Sequence, residues 1–325
     1  MMNQRYLLSV ALSALSLSCN AVAGTSSWPA EPIKLVIAYS PGGSTDTAGR
    51  LLAAQLSKTL GQQVIVENRP GAAGTIGAAS VARAKPDGYT LLLAAAPEVS
   101  IAPIVMNQLP YDPLKDLATI SLVGKVPYVL VVNPALPVRT VKDLIAYGKA
   151  NPGKLNYSSF GTNTSNHLTG EQFKLVAHID ATHVPYKGSG PSIADLMGGQ
   201  VQYTFDTATA TLPHVTAGNL RALAVTTTER LPNASTIPTM SEAGLPGFVG
   251  GTWFGLLAPA GTPRHVIDRL AADTRAVLSS PELKKKFEEL NITPAAGSPG
   301  EFRTFIDSEI TRWRSLASKV GITAQ

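Results

Sequence analysis

Gly42, Gly43, Ser44 and Thr45 are the residues best suited to hold a ligand, and the ligand they suit is an anion. They lie in a loop, residues 39–46, that also contains Tyr39, Pro41 and Asp46. Glycine lets the chain turn at little steric cost and bares backbone N–H groups. A helix starting just after the loop adds the positive end of its dipole. Taken alone, the loop is more simply read as a capped turn with Ser44 or Asp46 as N-cap. Its recurrence shifts that weighting. Thr162, Asn163, Thr164 and Ser165 precede a second helical stretch, Ser189 in the loop 187–192 precedes a third, and Asp206-Thr207 closes a later strand. Such hydroxyls, amides and freed N–H groups hold an oxyanion without lysine or arginine, so no buried ion pair opposes release.

Other chemistry is hard to find. His167, His178, His183, His214 and His265 form no H-E-x-x-H or comparable ligand set. No G-x-S-x-G elbow is present. Ser, His and Asp residues scattered along the chain are free to converge in space, but no spacing asks for it. Gly71, Gly74 and Gly77 suggest a nucleotide loop, yet they lack the dinucleotide spacing, do not abut a strand, and precede no Lys-Ser or Lys-Thr. Close approach of a helix to a sheet explains them better. We expect no enzyme, no cofactor and no metal.

The elements that must position these residues read as α/β. Residues 33–38 form an apolar strand, and 47–60 a helix ended by Gly61 at the C′ position. Residues 64–66 and 89–94 add strands, the latter ending in the loop 95–100 before a helical stretch at 101–106. Near-continuous apolar strands alternating with helices predict a mainly parallel sheet covered on both faces, with ligands at the carboxyl ends of the strands. Residues 120–123 are a strand, and 126–132 a crossing into a second domain. There Thr140 caps a helix over 141–150; strands follow at 155–159, 183–186, 201–205 and 221–226. Residues 251–257 are a further strand crossing back. The last part is helical: Ser298 and Glu301 make a capping box, with Phe302, Phe305, Ile306, Ile310, Trp313 and Val320 on a packed stripe.

The chain has 325 residues and a net charge of +5. Arg5, an apolar stretch over 6–17 and Ala21-Val22-Ala23 read as a secretory signal peptide, residues 1–23, cleaved after Ala23. Cleavage leaves 302 residues, a charge of +4 and no cysteine. Cys19 raises the possibility of lipidation, although Ser16 stands where a lipobox wants an aliphatic residue. Lys284-Lys285-Lys286 is balanced by Glu288-Glu289 and lacks interleaved aromatics, so it reads as a solvated helix face and no nucleic acid is expected.

Several motifs resemble one family. They include Pro41-Gly42-Gly43-Ser44-Thr45-Asp46, Val66-Glu67-Asn68-Arg69-Pro70-Gly71-Ala72-Ala73-Gly74 and Pro86-Asp87-Gly88-Tyr89-Thr90. Asn151-Pro152-Gly153, His183-Val184-Pro185-Tyr186-Lys187-Gly188, Glu242-Ala243-Gly244-Leu245-Pro246-Gly247 and Ala258-Pro259-Ala260-Gly261-Thr262-Pro263 continue the match in order. The chain is similar to the Bug-type solute receptors of tripartite tricarboxylate transporters. The resemblance implies a two-lobe type II periplasmic binding protein, each lobe a mainly parallel sheet flanked by helices, with the ligand in the interlobe cleft. Lobe 1 would comprise residues 24–126 and 249–325, and lobe 2 residues 127–248. It further implies a periplasmic, monomeric receptor that delivers a small carboxylate to membrane permease subunits; the alternative is a receptor that signals occupancy to a membrane sensor.

By that resemblance Tyr39, Pro41, Gly42, Gly43, Ser44, Thr45 and Asp46 grip a carboxylate together with Gly161, Thr162, Thr164, Ser165 and His167, partly through waters. Tyr186, Gly188, Ser189, Asp206 and Thr207 line the rest, and capping is an alternative role for Asp206. Glu98 departs from the small hydroxyl residues or histidine that the family places in its loop. A glutamate there is expected to point to solvent; facing the cleft, it would repel a second carboxylate.

Overall fold

The computed structural model describes residues 28–324. The signal peptide, its cleavage site and Cys19 lie outside the described residues.

The first half is built from short apolar strands and the helices between them. In chain order they are β1 (Ile33–Ile37), α1 (Ser44–Leu60), β2 (Val64–Asn68), α2 (Thr75–Ala82), β3 (Thr90–Ala95) and α3 (Ala102–Val105). β1 pairs in parallel with both β2 and β3. Alternate residues of β1 go to opposite faces, as a strand's period of two requires. Leu35 and Ile37 pack among Leu52 and Leu56 of α1, while Val36 packs with Ala78 of α2 on the other side. Gly61 ends α1 in the left-handed conformation, as its position predicts (φ 70°). Gly77 is required by close approach: a Cβ there would stand 2.8 Å from that of Ala38.

β4 (Leu117–Val132) unites two segments that the sequence reading separates. Register shifts between Thr119 and Ser121 and between Leu122 and Gly124 absorb the irregular stretch, and the pairing continues through Pro127. After β4 come α4 (Val141–Ala150), β5 (Leu155–Ser159), α5 (Ser165–Ala177), β6 (Ala181–Pro185), α6 (Ser189–Met197), β7 (Tyr203–Thr207), α7 (Ala208–Thr216) and β8 (Arg221–Val225). Thr140 caps α4 in a full capping box with Asp143. α7 is unforeseen, because its Thr, Ala and Pro213 disguise the helical pattern. The chain then returns through β9 (Gly251–Pro259), α8 (Arg264–Ser279), α9 (Pro281–Glu289), β10 (Thr293–Pro294) and α10 (Pro299–Lys319).

The strand order is β2-β1-β3-β9-β4-β7-β5-β6, with β8 and β10 also paired to β4. Each half keeps three parallel strands: β2, β1 and β3 in one, β6, β5 and β7 in the other. The middle is antiparallel, since β9 runs against both β3 and β4 and β7 runs against β4. The parallel part of each half is as expected, and the antiparallel middle follows from strands that cross between halves. The first part of β4, to Pro127, pairs with β9; the rest, from Tyr128, pairs with β7 and β8. Tyr128, Leu130 and Val132 then face one core, and Val129 and Val131 another.

α10 carries the capping box of Ser298 and Glu301 and buries Phe302, Ile306, Ile310 and Trp313 as its pattern predicts. Phe305 and Val320, on the same stripe, are only partly buried. Lys284, Lys285 and Lys286 are exposed on α9, a solvated face. No helix among the described residues is long and apolar enough to cross a membrane.

Candidate functional site

Two adjoining cavities lie where loops from the two halves meet. The larger, about 470 Å³, is bounded on one side by Ala38, Tyr39, Gly74, Pro97 and Met106, and on the other by Phe160, Gly161, Thr162, Asn163, Tyr186 and Lys187. The smaller, about 50 Å³, is lined by Pro41, Gly43, Ser44 and Thr45 facing Gly188, Ser189, Gly190 and Pro191. Tyr39, Ser40 and Phe160 belong to both. The larger volume falls in the range of small-molecule sites, and its walls are mainly apolar with few polar groups.

α1 begins at Ser44, three residues earlier than its hydrophobic pattern suggests, and its N-cap is Gly43 with no side-chain cap. Neither Ser44 nor Asp46 is the N-cap. Asp46 instead reaches back from the third helical position: it accepts the Gly42 amide at 3.0 Å, Arg50 Nε at 3.0 Å and Asn68 Nδ2 at 2.9 Å. Burial pushes its pKa up, but Arg50, the Gly42 amide and Asn68 outweigh burial and hold the carboxyl below its ordinary value. Asp46 and Gly42 thus brace the turn outside the cavity lining, while Ser44 and Thr45 line the smaller cavity. The first N–H groups of α1 have no intrahelical acceptor and open toward that space. The start of α6 faces them, with its N-cap Gly188 at φ 137°.

The loop before α5 is divided the same way. Gly161 (φ 134°), Thr162 and Asn163 (φ 64°) line the larger cavity. Thr164, Ser165 and His167 turn inward. The Thr164 hydroxyl donates to the Gly161 carbonyl at 2.6 Å, Ser165 Oγ meets the Tyr128 hydroxyl at 2.5 Å, and His167 Nδ1 accepts the Asn163 amide at 3.1 Å. His167 lies against His183, the rings tilted by 30° with centroids 4.0 Å apart. Burial lowers the pKa of His167 to about 4 and of His183 to about 3, so both rings are neutral at pH 7. No group of three or more His, Cys, Asp or Glu suited to a metal occurs among the described residues.

Each half also hides a carboxyl directly behind a hydroxyl of the lining. Asp206 is fully buried; its Oδ2 accepts the Ser189 hydroxyl at 2.7 Å and its Oδ1 the Thr207 amide at 2.6 Å. Thr207 caps α7, so Asp206 is not itself the N-cap, and neither residue lines a cavity. Burial raises Asp206 to about 7, against the pull of Ser189 and Thr207. Glu98 is the counterpart in the other half. It has no exposure, which corrects the expectation that it points to solvent. It rides on a π-helical turn, Pro97–Ile101, where its Oε2 accepts the Tyr39 hydroxyl and its Oε1 the Ala95 amide, each at 2.7 Å. Those bonds satisfy the carboxyl where solvent cannot reach, which is why it is tolerated inside. Burial raises it to about 7.

Sequence reasoning missed one wall. Residues 71–74 have four consecutive positive φ angles: Gly71 130°, Ala72 46°, Ala73 53° and Gly74 89°. Two alanines in the left-handed region cost about 1–2 kcal/mol each, strain of a kind that clusters at ligand clamps. The available signal was position, since this loop follows the carboxyl end of a parallel strand. Met106 and Phe160 carried no such signal; an apolar residue lining a cavity looks like one in a core.

Two lobes of parallel strands, joined by crossing strands and meeting at a cleft rimmed by helix N-termini, define a two-lobe periplasmic binding protein. The chain belongs to the tripartite tricarboxylate transporter family receptor group, whose family model matches residues 48–322. It is 39% identical to the protein BugT of Bordetella pertussis over 295 residues, 90% of each chain. Among solved structures it is similar to R. palustris Rpa4515 with adipate: TM-score 0.90, 37% identity, 92% of this chain and 100% of that one. It also resembles MatC (Rpa3494) from Rhodopseudomonas palustris with bound malate: TM-score 0.84, 31% identity, 89% and 99% coverage. The family is one of solute receptors and not of enzymes.

Proposed function

We propose that this chain is a periplasmic receptor that closes its lobes over a small organic acid and delivers it to the permease of a tripartite tricarboxylate-type transporter. One observation carries the reading: the N-termini of α1 and α6 face each other across one small cavity, with Ser44 and Thr45 on one side and Gly188 and Ser189 on the other. Two helix ends aimed at one space suit an anion without a lysine or arginine beside it. The adipate and malate in the two solved relatives support a carboxylate.

In this reading Tyr39, Pro41, Gly43, Ser44, Thr45, Gly161, Thr162, Tyr186, Gly188 and Ser189 contact the ligand or its bridging waters. Ser40, Phe160, Asn163 and residues 71–74 join them. Gly42, Asp46, Thr164, Ser165, His167, Asp206 and Thr207 hold the contact residues in place. The lobes comprise residues 24–126 with 249–325, and 127–248; the change of partner along β4 between Pro127 and Tyr128 supports that division. The receptor acts as a monomer, releases its ligand unchanged, and loses its leader after Ala23.

A thermal-shift screen of the purified mature chain over a carboxylate library tests the capture step, because ligand that binds only the folded state raises apparent stability. Hits are then titrated by calorimetry and checked for turnover by NMR. A library without a single hit, or conversion of a bound acid, refutes the reading. Pull-down against membrane proteins separates a permease partner from a sensor.

A further inference from the structure

Glu98 is fully shielded from solvent, and among the described residues burial and hydrogen bonds, with no cation, set the state of its carboxyl. Its surroundings are the Tyr39 hydroxyl after β1, the Ala95 amide at the end of β3, the Cα of Gly74, and Tyr111, whose hydroxyl donates to the Glu98 carbonyl at 2.5 Å. Burial and the adjacent carboxyl push the Tyr39 phenol well above its ordinary value, so Tyr39 stays protonated and donates.

The wall between this carboxyl and the larger cavity is one residue thick. Gly74 lines the cavity, and a Cβ built on it would lie 2.8 Å from Glu98 Oε2 and 3.2 Å from the Tyr39 hydroxyl. Pro97, the neighbour of Glu98, lines the same wall. On the same side as Gly74 the lining continues with Ala102, Val105 and Met106, which are apolar. The polar lining residues Thr162, Asn163 and Lys187 belong to the opposite side, so an anion held against the Gly74–Pro97 wall has no counter-charge on that wall. With its hydroxyl proton given to Glu98, the Tyr39 oxygen has only acceptor capacity left for a ligand.

We propose that Glu98, held behind Gly74 on the hydroxyl of Tyr39, is a specificity-determining residue that restricts the cavity to acids with a single carboxylate. This rests on the reading of the cleft as a carboxylate site. The one carboxylate sits at the α1 and α6 N-termini; the body against the Gly74–Pro97 wall is uncharged or donates a hydrogen bond. A second carboxylate against that wall meets a like charge through bare backbone, and at the dielectric of a partly buried site this costs roughly tenfold to a hundredfold in affinity.

The test is calorimetric titration of the full mature chain with matched pairs, short linear and benzoic monoacids each against the diacid of the same skeleton. At about pH 8, where Glu98 is ionised, the monoacid of each binding pair is expected to bind about tenfold tighter or more. Glu98→Gln keeps the size and removes the charge, its amide oxygen taking the Ala95 N–H and its NH2 donating to the Tyr39 oxygen in place of the reverse bond, and is expected to shrink the gap to about threefold or less. Wild type at about pH 6, with Glu98 protonated and the diacids still charged, should shrink it likewise, a measurement that stands if the variant fails to fold. Equal affinity within pairs, or a diacid preference unmoved by Glu98→Gln and by pH, overturns the proposal. Failure of every monoacid and diacid to bind overturns the carboxylate reading itself.

Discussion

Ser40 donates its hydroxyl to the carbonyl oxygen of Lys187 at 3.2 Å, joining the loop after β1 to the loop after β6 across the cleft. The structure therefore holds the two halves against each other, and this bond exists only while they stay so. Ser40→Ala removes it without touching either helix N-terminus. A hydrogen bond of this kind is worth about 0.5–1.5 kcal/mol, so the Kd is expected to rise about twofold to tenfold, mainly through faster dissociation. Stopped-flow displacement measures this; an unchanged off-rate counts against a closure role for the bond.

Gly74 and Gly42 separate lack of space from backbone strain. Both have positive φ, 89° and 85°, but a Cβ at Gly74 collides with Glu98 at 2.8 Å, whereas one at Gly42 meets nothing within 4 Å. Gly42→Ala is expected to lose about 1 kcal/mol for the left-handed conformation alone. Gly74→Ala loses that plus the displacement of Glu98, about 2–4 kcal/mol in all. Urea unfolding of the two variants checks the order, and equal losses refute it.

Stability should respond to pH with two opposing slopes. Glu98 and Asp206 rise on folding from ordinary values of 4.5 and 3.8 to about 7, through burial. Their contribution is complete below about pH 4 and is lost as the pH climbs to about 7. His167 and His183 fall from 6.5 to about 4 and about 3, again through burial. Their contribution is complete above about pH 6.5 and drains as the pH drops. Glu98→Gln removes one rising-pH loss, so between about pH 5 and pH 8 the variant should gain on the order of 1–3 kcal/mol relative to wild type. A urea-unfolding profile parallel to wild type speaks against it.

Glu309 anchors α10 to β9. Its Oε2 accepts the indole N–H groups of Trp253 at 3.1 Å and Trp313 at 3.0 Å, and Arg312 grips both its oxygens at 2.7 and 2.8 Å. Glu309→Ala strands two buried donors and is expected to cost about 2–4 kcal/mol, with a change in tryptophan emission. Glu309→Gln keeps an acceptor and should lose less; comparable losses would mean packing dominates.

Local rules made much of this molecule legible. The capping boxes at Thr140 and Ser298, the left-handed Gly61 and the apolar strands follow from a few neighbouring residues, and they stand where the pattern places them. The direction of side chains in the binding loops did not follow. Asp46, Thr164 and His167 have ligand-binding chemistry, but each is spent on an amide or carbonyl of its own loop, which only the folded backbone can determine. Glu98 misled for a related reason. A buried glutamate is uncommon, and its acceptance depends on Tyr39, fifty-nine residues away. The union of two segments into β4 was hidden because Gly124 and Lys125 look like a break when read along the chain, and the bulges at Ile120 and Val123 disturb the alternation before them.

The place of β9 has a consequence for how the molecule is made. It lies between β3 and β4, so nothing in the first 250 residues can fill the middle of the first sheet. Residues 128–225, by contrast, contain β7, β5, β6, β8 and the end of β4, and pair among themselves. A chain emerging from its N-terminus can therefore assemble the second half while the first stays open, with β3 and β4 unzipped until the final quarter arrives. The contacts of β9 with β3 and β4 thus join a late segment to two early ones, and contacts of such long sequence separation carry a large loop-closure cost.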